Sequence, residues 1–207
     1  MRVCSVFLVR LRGRQCFAFA LGGFAYGLVT SRIPSPHGGG VFWVGNLCAP
    51  WLVLAFMAGR AQRSLGSAAL AGALTEIACV VGFYVQFLTL DALRLGLPHQ
   101  TPLTEVATTS LSRWLVFISP WLVAALAAGP AYGVLGQLWG RSKALVSGLA
   151  LALPFLAEPA LWPLANGYYK GPGLIWAGEV TLGLLIVVAV LRTRRRLESS
   201  DGEGPTL

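Results

Sequence analysis

Three carboxylates stand where carboxylates are rare. The chain has eight acidic residues, and Glu76, Glu158 and Glu179 each lie inside a long apolar run. An acid at the centre of a membrane helix costs roughly 2.5–3.5 kcal/mol on insertion scales, so such residues mark ion or solute pathways or interhelical bonds. Glu76 follows Arg63 by 13 residues, Glu158 follows Lys143 by 15, Glu179 precedes Arg192 by 13 and Asn46 precedes Arg60 by 14. At a helical rise of about 1.5 Å per residue, all four lie roughly 20 Å from those basic anchors. The spacing therefore predicts one polar layer, off-centre in an apolar core about 30 Å thick. Carboxylates gathered there could bind a cation, a cationic solute or exchangeable protons. The competing reading is structural: Pro154, Pro159 and Pro163 free backbone carbonyls on the Glu158 helix, and a protonated Glu can donate to one.

The elements that must position these groups follow from composition. The chain has 207 residues, 56% hydrophobic and 12% charged, against about 25% charged in ordinary soluble domains. That balance excludes a soluble globule, and the hydrophobicity excludes disorder. Six apolar runs are long enough to span, at about 15–32, 41–59, 65–90, 113–138, 144–164 and 173–191. The expected fold is all-α, a polytopic membrane bundle of six transmembrane helices over residues 15–192. A basic segment, 1–14, precedes it and a polar tail, 193–207, expected to be disordered, follows it. With the amino terminus cytoplasmic, twelve basic residues fall on the inner side and four, Arg32, Arg94, Arg113 and Lys170, on the outer side. This asymmetry predicts both termini in the cytoplasm and a location in the cell membrane. The net charge of +8 does not point to nucleic acid, because the cations sit between apolar runs rather than on one stripe.

The connections carry further expectations. Residues 33–40, IPSPHGGG, read as an outer loop. Thr101-Pro102 could start a short interfacial helix before the fourth span. Val3, Phe7 and Leu11 share a helical face beside basic residues, which suits a helix lying on the inner surface. Trp114 and Tyr84 are expected at the outer interface, and Trp51 and Trp121 deeper, as packing residues.

Catalytic signatures are missing. The sequence has no HExxH, no GxSxG elbow and no Walker loop, and its two histidines, His37 and His99, lie in separate outer loops. Cys4, Cys16, Cys48 and Cys79 form no CxxC pair and read as small buried hydrophobes. No enzyme activity, cofactor or metal site is expected.

Small residues set helix contacts. Gly23 and Gly27 form a GxxxG step on the first span, suited to internal packing or to docking a partner membrane subunit or a second copy. Pro50-Trp51-Leu52-Val53 followed by Ala58-Gly59 echoes Pro120-Trp121-Leu122-Val123 followed by Ala128-Gly129, compatible with a parallel internal repeat. The fourth helix is expected to be either long and tilted or broken at Gly129-Pro130.

Ala-Pro-Trp-Leu-Val at 49–53, Ala131-Tyr132-Gly133 after a Gly-Pro step, and Leu156-Ala157-Glu158 together resemble a family of small multipass proteins from high-GC Gram-positive bacteria, a domain of unknown function. The resemblance runs over about 16–192. It implies integral membrane location and no particular mechanism. The expected function is a small-solute or cation-handling transporter, or a transporter's substrate-binding subunit. The alternative is a non-transporting helper that packs against a partner through Gly23 and Gly27.

Overall fold

The computed structural model describes residues 2–33, 47–85, 103–166 and 173–202, with side chains for most of these outside the helix ends. The described residues form six helices: α1 (Arg2–Thr30), α2 (Cys48–Arg60), α3 (Leu65–Tyr84), α4 (Leu103–Ser142), α5 (Leu145–Asn166) and α6 (Gly173–Gly202). Within them Leu65–Tyr84, Leu111–Ser142 and Gly173–Leu197 are long and apolar enough to cross a membrane. Gln15–Thr30, Cys48–Arg60 and Leu145–Leu161 are shorter apolar helices. The loop at 34–40, Asn46, the two histidines and Thr101-Pro102 lie outside the described residues.

Several boundaries differ from the reading of the sequence. The basic segment is not a separate element, because α1 is helical without a break from Arg2 into the first apolar run. The fourth span starts earlier than the apolar run suggests: α4 is one helix of 40 residues from Leu103 to Ser142. The tail expected to be disordered is helical through Gly202. Residues 192–198 are mostly Arg, Leu and Glu, all strong helix formers, and they extend the helix that the apolar run begins.

α4 stays continuous through Pro120 and Pro130, and at Pro120 a neighbour replaces what proline removes. Pro120 has no N–H for the Val116 carbonyl, and the Ser119 hydroxyl donates to that carbonyl at 3.0 Å. Pro154 in α5 leaves the Ala150 carbonyl without its usual donor. The Tyr132 hydroxyl of α4 donates to it at 3.1 Å. The carbonyl that Pro154 frees is thus met by a tyrosine and not by a glutamic acid.

Lipid tails offer no hydrophobic gain for joining one apolar helix to another, so close backbone approach must hold the bundle. Glycine supplies it. Gly23 and Gly27 of α1 face α3, where a Cβ at Gly23 would lie 2.7 Å from the Thr75 carbonyl oxygen. A Cβ at Gly27 would strike the Cys79 carbonyl, and one at Gly82 the Phe24 carbonyl. The GxxxG face is therefore packed on the chain's own third helix. A larger stripe, absent from the sequence reading, runs along α4. Gly129 and Gly133 abut Gly72 and Ala68 of α3, and Gly133 and Gly136 abut Gly59 and Phe56 of α2. These contacts also give directions. α1 runs parallel to α3, α4 antiparallel to α3, and α5 antiparallel to α6 through Phe155 against Gly183 and Gly148 against Val190.

The outward faces are apolar. Val116 is 74% exposed and Leu174 is 90% exposed, with Leu126, Leu153 and Leu185 open beside them. At the basic end, Arg141 donates to the Arg63 carbonyl in the α2–α3 connection. Lys143, between α4 and α5, has φ 50°, a left-handed conformation that costs a residue with a Cβ about 1–2 kcal/mol.

Candidate functional site

The three acids occupy different surroundings. Glu76 is 3% exposed on α3, Glu158 is 8% exposed on α5 and Glu179 is 6% exposed on α6. All three lie within electrostatic range of Cys48 at the start of α2, and Glu179 lies within range of Glu158. They therefore gather near one end of α2, but they do not share one wall of one chamber.

Glu158 completes a helix end. Leu47 precedes α2 with extended geometry, and its side chain makes no capping hydrogen bond. Of the first three helical residues, Pro50 has no N–H, leaving Cys48 and Ala49 as donors. The Cys48 N–H donates to both Glu158 carboxylate oxygens, at 2.9 and 3.1 Å, and the Ala49 N–H donates to Oε2 at 3.1 Å. A negative group at a helix N-terminus is further favoured by the helix dipole. Replacing Glu158 with Ala should leave the part-buried Cys48 N–H and the buried Ala49 N–H without their acceptor and destabilise the bundle by about 1–3 kcal/mol. Thermal unfolding in detergent would register this, and Glu158→Gln, which keeps one acceptor oxygen, should lose less.

Glu179, within electrostatic range of Glu158, has both carboxylate oxygens buried and no hydrogen-bond partner among the described residues. Gly183, one turn further along α6, packs on Phe155 and Leu156, so the Glu179 face of α6 is turned to α5.

Glu76 faces a cavity. The cavity has a volume of about 130 Å³ and lies between α2, α3 and α4. Its walls include the rings of Trp51, Tyr84 and Trp121, the Cys48 side chain and Ala125. Glu76 is its one carboxylate among the described residues; neither Glu158 nor Glu179 lines it. Glu76 Oε1 is buried with no hydrogen-bond partner among the described residues, and so is Trp51 Nε1. Thr75, next to Glu76 on α3, turns its hydroxyl back to the Ala71 carbonyl at 2.8 Å, and Glu76 is the carboxylate that α3 offers to the cavity.

The aromatic walls are braced. Trp51 and Phe83 have ring centroids 5.8 Å apart, Phe83 and Tyr84 5.1 Å, and Tyr84 and Phe117 5.5 Å, each in a tilted or edge-on arrangement. Trp114 donates its indole N–H to the Tyr84 carbonyl at 2.9 Å, closing the end of α3. Tyr84 is therefore buried in the core at the end of α3. Trp51 and Trp121, the equivalent positions of the sequence echo, meet at the same cavity, although Trp51 is buried and Trp121 is partly open. Cysteine usage is mixed: Cys79 is fully buried, whereas Cys48 is exposed and lines the cavity.

Described residues that are all helical, with three helices among them long and apolar enough to cross a bilayer, point to a membrane protein. Residues 9–97 match the model of a family described as a family of unknown function (DUF6518). The match is consistent with the uncharacterised family that the motifs resemble, over a shorter stretch. It contains α2, α3 and Glu76, and stops short of Ala131-Tyr132-Gly133 and of Glu158. No curated protein and no solved structure matches the chain.

Proposed function

We propose that this chain is an integral membrane protein that binds a small organic cation in the cavity between α2, α3 and α4. The observation that carries the reading is Glu76: a buried carboxylate with an unpartnered oxygen, facing a space walled by three aromatic rings. Ring faces attract cations, most strongly where water is excluded, and an adjacent carboxylate supplies the countercharge. A cavity of roughly 150 Å³ holds a benzene-sized solute, so the space suits a head group of five or six heavy atoms, such as a methylated ammonium. The role is binding and handling of a solute, not covalent chemistry.

Six spans with both termini in the cytoplasm fit this reading. Arg60, Lys143 and Thr193 meet at one end of the bundle, and Arg141 bonds to the Arg63 carbonyl there. Basic residues favour the cytoplasmic side. On that orientation the Glu76 cavity lies in the outer half of the cell membrane.

Binding of tetramethylammonium to the purified protein tests the assignment. Proton and cation compete for one carboxylate, so affinity should rise with pH until Glu76 is ionised and then level off. Cys48 and Tyr84 line the same space, and Tyr132 lies within electrostatic range of Glu76, but none of them supplies a carboxylate. Calorimetry in buffers of different ionisation enthalpy should detect a proton released on binding at the lower pH values. Affinity that is flat across pH would remove Glu76 from the site.

A further inference from the structure

A second concavity, of about 360 Å³, opens at the basic end of the bundle between α2, α4, α5 and α6. Its floor is apolar, built from Phe56, Leu151, Ile186 and Val190. Its rim carries two cations, Arg60 and Lys143, and no acidic residue among the described lining. Two unopposed cations above a hydrocarbon floor form a surface with a charged end and an oily end.

The two cations are held in place. The Arg60 stem lies over Gly140, where a Cβ would come within 3.3 Å of its Cγ. Lys143 Nζ lies 5.7 Å from the centre of the Trp139 ring and donates to the Gly140 carbonyl at 3.3 Å. Lys143 adopts its left-handed backbone where a helix end ordinarily carries glycine. Lys143 thus occupies a strained position and brings its ammonium to the lining of the groove.

We propose that this groove binds an anionic phospholipid, its phosphate between Arg60 and Lys143 and an acyl chain along Phe56, Leu151, Ile186 and Val190. Basic pockets between membrane helices on the cytoplasmic side take anionic head groups. A free phosphate would satisfy the rim and leave the apolar floor wet. A lipid satisfies both, and the groove adjoins outward faces that are themselves apolar, with Val146 and Leu185 exposed on α5 and α6.

The test uses the full chain in mixed micelles, with native mass spectrometry counting phosphatidylglycerol and phosphatidylcholine bound per chain. Wild-type protein should retain phosphatidylglycerol with a preference of about tenfold or more. Lys143→Gly is compatible with the left-handed backbone. It should keep or raise the unfolding temperature while lowering the preference about fivefold. Arg60→Gln should act similarly on the preference, and Arg192→Gln, an exposed cation outside the groove, should not. Equal retention of the two lipids would overturn the proposal, as would an unchanged preference in both groove variants or an equal drop in Arg192→Gln. Displacement of the lipid by millimolar glycerol phosphate would show that a soluble phosphate suffices and would equally overturn it.

Discussion

Replacing Glu76 with Gln should weaken tetramethylammonium binding about 100-fold or more, with the protein still folded and monodisperse. Truncating one partner of a buried charge pair costs on the order of 2–5 kcal/mol, and glutamine keeps the shape of the side chain while removing its charge. The pH dependence of whatever binding is left should vanish with the carboxylate. Glu179→Gln is the informative companion. Glu179 is as buried as Glu76 but does not line the cavity, so its replacement should leave affinity within about twofold. Trp121→Ala should fall between, losing about 0.5–2 kcal/mol of ring attraction. Equal losses from Glu76→Gln and Glu179→Gln would mean that the solute sits elsewhere. Binding unaffected by Glu76→Gln would end the cavity assignment.

The largest structural effect should come from Gly133→Val. A Cβ at this position would strike the Ala68 carbonyl and lie 3.2 Å from the Gly72 Cα, and both obstacles belong to α3. Gly59 of α2 meets the same glycine from the other side. Backbone cannot rotate away as a side-chain tip can. Two helices must therefore separate, at a cost of more than about 3 kcal/mol, beyond the usual range for overpacking. Size-exclusion chromatography and thermal unfolding in detergent should show an aggregated or unfolded product. Gly22→Ala provides the contrast. Nothing lies within 4 Å of its added Cβ, so the better helix propensity of alanine should leave stability unchanged or up to about 1 kcal/mol higher.

How much of this was legible in the residues depends on which coordinate is asked for. Hydropathy and charge spacing give position along the bilayer normal, and they placed Glu76, Glu158 and Glu179 near one level. Direction around each helix axis depends on neighbours, and here the single polar layer divides. Glu158 is drawn to α2 because Leu47 cannot cap and Pro50 has no N–H, a need visible only once the first residue of α2 is known. Asn46 lies outside the described residues. Gly23 and Gly27 were legible as packing residues, but their partner was not: α3 meets them with Thr75, Cys79 and Phe83. The glycines at 129, 133, 136 and 140 were visible as a spacing of four, three and four, and the mixture with Ala and Pro around them hid it. The aromatic walls were the least readable part. Trp51 and Trp121 are 70 residues apart, and their meeting follows from α2 and α4 lying side by side.

The capping of α2 by Glu158 ties the start of one helix to a residue 110 positions later in the chain. During synthesis α2 is made well before α5 exists, and its first amides then lack the acceptor that the finished protein gives them. This end of α2 is thus completed late, by the arrival of the α5–α6 hairpin, so a chain arrested after α4 would hold the walls of the Glu76 cavity with an unfinished rim.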